Sequence, residues 1–256
     1  MGEARPFALA LNNRNGYRCG RVIAEAGDEP EFLLLHPSSE ARFDGEILSL
    51  FPRSRVIRWK ERPCEEVTGL LREAGIELLL SVNFGYVIPP VLLNMLPEAL
   101  NLHTGLLPWG RGSNPNVWAI VERSPAGVTL HRMTEELDRG EIVASLDVPV
   151  DPGDTGASLY ERLEEASVTL MRTVWPALRE GAIEGYPMEN GGSEHKTRDM
   201  KALCRLDLDE IASLGVFLDR LRALTFPPYR NAYFVCAGRR YYVDINIRSA
   251  EETSGD

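Results

Sequence analysis

Short apolar runs alternate with stretches of helical spacing through the first two-thirds of the chain. Residues 7–11, 31–35, 55–59, 77–82 and 99–103 have the length and apolar content of strands. Between them, a polar turn from Asn12 to Gly16 leads into a helical pattern ending near Ala26. Residues 65–74 place Val67, Leu70, Leu71 and Ala74 on one face, and a proline opens a helix over 89–96. This order predicts βαβ units in a mainly parallel sheet with helices on both faces, a Rossmann-like α/β fold. The unbroken run Leu78-Leu79-Leu80 suits a strand buried on both sides. Further on, 116–122 reads as a helix, 127–131 and 142–150 as strands, and 155–180 as one long amphipathic helix. The pattern lapses into Gly, Asn, Ser and charge over 187–199. A helix over 209–224 and a hairpin turned by Gly238 then form a small α+β appendage. The expected division is a catalytic domain over 1–186, a linker over 187–199, the appendage over 200–248 and a disordered tail over 249–256.

With 256 residues, 44% of them hydrophobic, the chain buries a substantial core and is not globally disordered. Its formal charge of −10 argues against gripping a nucleic-acid backbone. Cys19, Cys64, Cys204 and Cys236 lack metal-ligand spacing and disulfide-scaffold density, so reduced thiols are expected. No signal peptide or membrane-spanning run is visible, which predicts a cytoplasmic protein that engages neither membrane nor nucleic acid.

Candidate chemistry concentrates at Asn101-Leu102-His103, at the carboxyl end of an apolar run. Alternation along a strand points Asn101 and His103 the same way. An imidazole there can move a proton while an amide steadies an oxyanion, as acyl transfer requires. Open α/β sheets bind ligands at such strand ends, and the Gly/Asn-rich loop that follows lets backbone approach a ligand. Asp138 offers a third polar group, although an acidic loop is ordinarily a solvated turn. Asn12 and Arg14, at the first strand-to-helix turn, suit a substrate phosphate; the dinucleotide Gly-x-Gly-x-x-Gly pattern is absent. His36, His131 and His195 show no partners in the sequence and read as structural.

Leu100-Asn101-Leu102-His103, Leu106-Leu107-Pro108 and Arg111-Gly112 closely resemble the folate-dependent formyltransferases. So does Leu137-Asp138-Arg139-Gly140-Glu141-Ile142 after a strand like Gly127 to His131. The likeness is most specific over 77–151 and looser over the whole chain. Thr104-Gly105 departs from it, since the family usually has a serine there. The resemblance implies the formyltransferase fold, Asn101, His103 and Asp138 as catalytic residues, and N10-formyltetrahydrofolate as co-substrate without a metal. It also implies a pterin pocket lined by Phe84, Gly85, Tyr86, Val87 and Ile88.

Within the family, Arg111 to Trp118 and the tail around Phe226-Pro227-Pro228-Tyr229 look most like the nucleotide-sugar N-formyltransferases. That implies Arg111, Gly112, Asn114 and Trp118 as substrate contacts. The implied partner is a nucleoside-diphosphate amino sugar, with a dTDP-4-amino-4,6-dideoxyhexose as the default, in lipopolysaccharide or O-antigen biosynthesis. A homodimer through the appendage is the accompanying expectation. The alternatives are another amine acceptor (glycinamide ribonucleotide or methionyl-tRNA), a formyltetrahydrofolate hydrolase, and a non-catalytic folate or nucleotide-sugar binder.

Overall fold

The computed structural model describes residues 5–250, so the expected disordered tail lies outside the described residues from 251 onward. The chain begins with β1 (Phe7–Leu11), α1 (Asn13–Glu25), β2 (Phe32–Leu35), α2 (Asp44–Leu50) and β3 (Arg55–Arg58). It continues through α3 (Cys64–Glu73), β4 (Leu78–Val82), α4 (Pro90–Leu93), β5 (Glu98–His103) and the short β6 (Arg111–Gly112). Next come α5 (Pro115–Val121), β7 (Gly127–Arg132), β8 (Ile142–Asp147) and α6 (Gly156–Glu180). The remainder holds β9 (Glu194–His195), α7 (Thr197–Cys204) and α8 (Leu214–Leu224). Two small hairpins follow, β10 (Thr225–Phe226) with β11 (Tyr229–Arg230), and β12 (Tyr233–Cys236) with β13 (Arg239–Tyr242).

Seven strands form one sheet in the order β3-β2-β1-β4-β5-β7-β8. The first five are parallel, and β7 runs antiparallel to β5. This is the mainly parallel, helix-flanked α/β architecture the hydrophobic pattern predicts. Leu80 of β4 stands in register with Leu9 of β1 and Leu100 of β5, and all three are fully buried. Ala8, Ala10 and Leu79 join Val67 and Leu71 of α3 and Leu92 and Leu93 of α4 in one core layer. Toward the opposite face, Gly20 of α1 sits against Leu11, Leu50 and Phe51, which brings α1 and α2 over that side.

Contacts group the chain into two compact units that interleave along the sequence. One comprises residues 1–103, 128–146 and 165–189, the other 104–127, 147–164 and 190–256. The first contains most of the sheet. In it Trp175 packs edge-on against Phe7 and donates its indole N–H to Asp28 at 2.8 Å, while Arg179 pairs with the same carboxylate. In the second unit α5 packs on α8. Gly156 permits that packing nearby, since a Cβ there would lie 2.1 Å from the carbonyl of Ala223.

Two local expectations give way. Residues 13–16, read as a polar turn, are already helical. Asn13, in the left-handed region at φ 56°, accepts the N–H of Asn15 on its own side chain at 3.1 Å, a local bond that asparagine makes readily. The supposed linker over 187–199 holds β9, which pairs in parallel with β6, and the start of α7.

Candidate active site

The antiparallel register of β5 and β7 sets Asn101 opposite His131 and His103 opposite Thr129. Side chains of directly opposed residues share a face, so all four gather at one end of the sheet. His103, Thr129 and His131 are buried there. The chain then turns back toward β7: the Arg132 N–H donates to the Glu141 carbonyl at 2.9 Å and the Met133 N–H to that of Ala99 at 2.8 Å. Between those ties sits Asp138, buried and in the left-handed region at φ 51°. The turn can close because position 140 is glycine. A Cβ at Gly140 would lie 1.8 Å from the Arg132 carbonyl.

This folding brings the three expected catalytic residues together. Asp138 Oδ2 stands 3.8 Å from His103 Nδ1, and its Oδ1 stands 3.4 Å from His131 Nε2. The Asn101 amide nitrogen lies 3.3 Å from that same His131 nitrogen. A buried imidazole beside a carboxylate is equipped to hold and pass a proton, and a neighbouring amide to stabilise negative charge on oxygen. His131, read from the sequence as structural, belongs to this cluster. Its parity with Thr129 on one strand was visible, but its position opposite Asn101 depends on a strand register that the sequence does not state. Among the described residues no group of three or more His, Cys, Asp or Glu side chains is placed to hold a metal ion.

The segment after β4 contains the residues expected to line a pterin pocket. Asn83 and Gly85 adopt positive φ of 51° and 75°, turning the backbone sharply at the strand's carboxyl end. Phe84 and Ile88 are buried in the core layer beneath it, whereas Val87 is 72% exposed. His36 bonds the Phe84 carbonyl, and Tyr86 stacks at a tilt on the His36 ring with 4.5 Å between centroids. Lys60 lies over the Tyr86 ring, and Glu40 accepts its hydroxyl, which raises the phenol's pKa. The result is a turn with an apolar floor and an aromatic flank, the surroundings a flat heteroaromatic ring needs.

Asn12 precedes α1, where its side chain accepts the Arg42 N–H at 3.0 Å. Arg14 is exposed on the first turn; the hydrogen bond from Arg18 and its charge, with a smaller contribution from Arg14, hold the Glu165 carboxylate below its ordinary range. Asn15, next along, is fully buried and donates to Asn83 at 2.8 Å and Ser167 at 3.2 Å, so it anchors the turn after β4.

The second unit holds Arg111, Gly112 and Trp118, three of the expected substrate contacts. The Arg111 guanidinium is buried and donates to the carbonyls of Pro108 and Gly191, each at 2.9 Å. Gly112, at φ 85°, admits the His195 carbonyl, which would be 2.2 Å from a Cβ. Trp118 is buried under the His195 ring at 3.6 Å between centroids, and His195 is held in turn by Glu122 at 2.6 Å. These residues clasp the segment 191–195 against the glycine-rich loop. Asn114, the fourth expected contact, is exposed at the start of α5.

Residues 15–175 match the model of the formyl transferase family, and residues 199–249 match that of the N-formyltransferase dimerization C-terminal domain. The chain therefore belongs to the formyl transferase family. It is 34% identical over 170 residues to a dTDP-4-amino-4,6-dideoxyglucose formyltransferase of Mycobacterium tuberculosis, covering 66% of this chain and 72% of that protein. A sugar N-formyltransferase from Shewanella superposes with a TM-score of 0.83 at 26% identity, over 96% of this chain and 99% of that one. A formyltransferase from Anoxybacillus kamchatkensis was solved with UDP-4,6-dideoxy-4-formamido-L-AltNAc and tetrahydrofolate. It is 32% identical, with a TM-score of 0.55 over 67% of this chain and 88% of that one.

Proposed function

We propose that this formyltransferase moves the formyl group of N10-formyltetrahydrofolate to the primary amine of a nucleoside-diphosphate amino sugar, specifically a dTDP-4-amino-4,6-dideoxyhexose. The observation that carries this reading is the convergence of Asn101, His103 and Asp138 at the carboxyl end of β5. The mycobacterial and Shewanella relatives support the sugar acceptor. The folate supplies the formyl group. The sugar amine forms a new C–N bond to the formyl carbon, the bond from that carbon to N10 breaks, and a proton passes from the amine to N10. Asn101 donates to the oxygen that becomes negative as the amine adds. His103, backed by the Asp138 carboxylate, holds and returns the proton. The turn at 84–88 receives the pterin, and Asn12 with Arg14 receives the diphosphate at the start of α1.

The exposed apolar side chains of the C-terminal region support a homodimer, with Ile211 99% and Leu214 73% exposed. No described helix is long and apolar enough to cross a membrane. The four cysteines, none in a disulfide, support a cytoplasmic setting.

Tetrahydrofolate release, followed by absorbance with and without dTDP-4-amino-4,6-dideoxyglucose, tests the reading. Release that requires the sugar, with a formylated product by mass spectrometry, is the expected result. Release without any acceptor identifies a hydrolase, release driven by methionyl-tRNA or glycinamide ribonucleotide identifies another transferase, and no release leaves a binder. Each of those three overturns the proposal.

A further inference from the structure

We propose that His131 is a positioning residue for the transfer: it fixes which end of the Asn101 amide faces the reaction. This deepens the preceding assignment of Asn101 and rests on it. His131 is 2% exposed and stands directly opposite Asn101 across the β5–β7 pair. Its Nδ1 lies 2.9 Å from the Arg132 carbonyl, and a carbonyl only accepts, so Nδ1 carries the hydrogen. In the neutral ring the remaining lone pair is then on Nε2. The Asn101 amide nitrogen, 3.3 Å away, donates one N–H into it.

That bond removes an ambiguity inherent in asparagine. A primary amide is nearly symmetric in shape, and a half-turn exchanges its NH2 group for its oxygen. Turned round, Asn101 would set an acceptor against the Nε2 lone pair and an oxygen toward the developing oxyanion, both repulsive. With Nε2 as an acceptor, the amide nitrogen is held in place and its second N–H is left for the oxyanion. A donor oriented before the reaction begins needs no reorganisation when charge develops, which is where such groups gain their effect.

Asp138 sharpens the requirement. Its Oδ1 stands 3.4 Å from His131 Nε2 and its Oδ2 3.8 Å from His103 Nδ1, so one carboxylate faces two imidazoles. A protonated His131 would donate to Asp138, compete with His103 for that charge, and present a donor to the Asn101 nitrogen. In the neutral ring, with its hydrogen on Nδ1 facing the Arg132 carbonyl, Nε2 stays an acceptor and keeps the amide aligned.

A double-mutant cycle on the intact enzyme, measuring formyl transfer by Asn101→Ala, His131→Leu and the double variant, tests this directly. His131→Leu is expected to lower kcat by about 10- to 100-fold, short of the loss of a whole oxyanion donor, with KM for the folate changed less than about threefold. In the Asn101→Ala background the same substitution is expected to cost less than about twofold, because the group it orients is gone. His131→Gln, whose side-chain oxygen supplies an acceptor near the Nε2 position, is expected to recover most of the activity. His131→Phe, which keeps a ring and removes both nitrogens, carries the cycle if the leucine variant fails to fold. Near wild-type kcat for His131→Leu overturns the proposal, as do losses that multiply with those of Asn101→Ala, or a folded glutamine variant as impaired as the leucine one. If Asn101→Ala itself keeps full activity, the assignment of Asn101 falls, and this inference falls with it.

Discussion

Asp138 reaches the histidines from a backbone conformation that a side chain rarely adopts, at φ 51°, two residues before a glycine with no room for a Cβ. Left-handed backbone away from glycine is held only where the surroundings determine it, and it concentrates at functional sites. The consequence is local. Gly140→Ala must push the turn off the Arg132 carbonyl, and the first group displaced is the carboxylate beside His103. We expect this variant to melt below wild type and to lose about 10²-fold in kcat, as when a reacting group is misplaced by about 1 Å. Thermal unfolding and steady-state kinetics on one preparation check both halves. Asn101, His103 and Asp138 could be singled out in the sequence because each lies in a local run of recognisable residues, and the structure brings the three together. His131 could not, since its meaning comes from the residue across the strand. The packing of Arg111 and Trp118 was hidden for a related reason: the groups they hold, Gly191 and His195, lie about 80 residues further along the chain.

At the scale of elements, the strands and long helices followed from periodicity, with Phe7–Leu11 of β1 legible to the residue. What escaped were short elements made by partners rather than by pattern. Strand β9 exists because β6 lies beside it, and α2 has a single buried residue, Ile47, so it carries little apolar signal. Helix α8 is tied to the turn just after α5 in a way that titrates. Burial raises the Asp219 pKa, but bonds from Arg123 at 2.8 Å and Arg222 at 2.7 Å outweigh it and leave the carboxylate below its ordinary range. A group depressed in the folded state stabilises it above the unfolded pKa and ceases to do so as pH falls through the folded value. Asp219→Asn is therefore expected to melt below wild type at neutral pH. The gap should narrow under acid conditions below the usual aspartate range, as read by melting curves across pH. A gap independent of pH would place the effect in packing instead.

For the molecule as a whole, the apolar side chains left in water are concentrated near the C-terminus. Leu208, Ile211 and Leu214 are all more than half exposed, and the hairpin of β12 and β13 stacks Phe234 on Tyr241 at 5.3 Å with the β13 side chains facing out. Such a patch marks an interface rather than a surface evolved for water. Together with the dimerization-domain match over 199–249, it leads us to expect a dimer in sedimentation velocity. Replacing Ile211 and Leu214 together with Glu is expected to give a monomer with an intact circular dichroism spectrum. A dimer that survives the exchange would move the interface elsewhere.

The interleaving of the two units has a further bearing on how the protein is made. Every segment of the first unit, through residue 189, leaves the ribosome before the last segment of the second has been translated. The glycine-rich loop and Trp118 emerge early, yet Gly191, Ser193 and His195, which close over them, come about 80 residues later. During that interval α5 lacks both α8 and its clasp, and its apolar face is a surface for chaperones to cover. The sheet that carries Asn101, His103 and Asp138 can form first; the other unit waits for its own last segment.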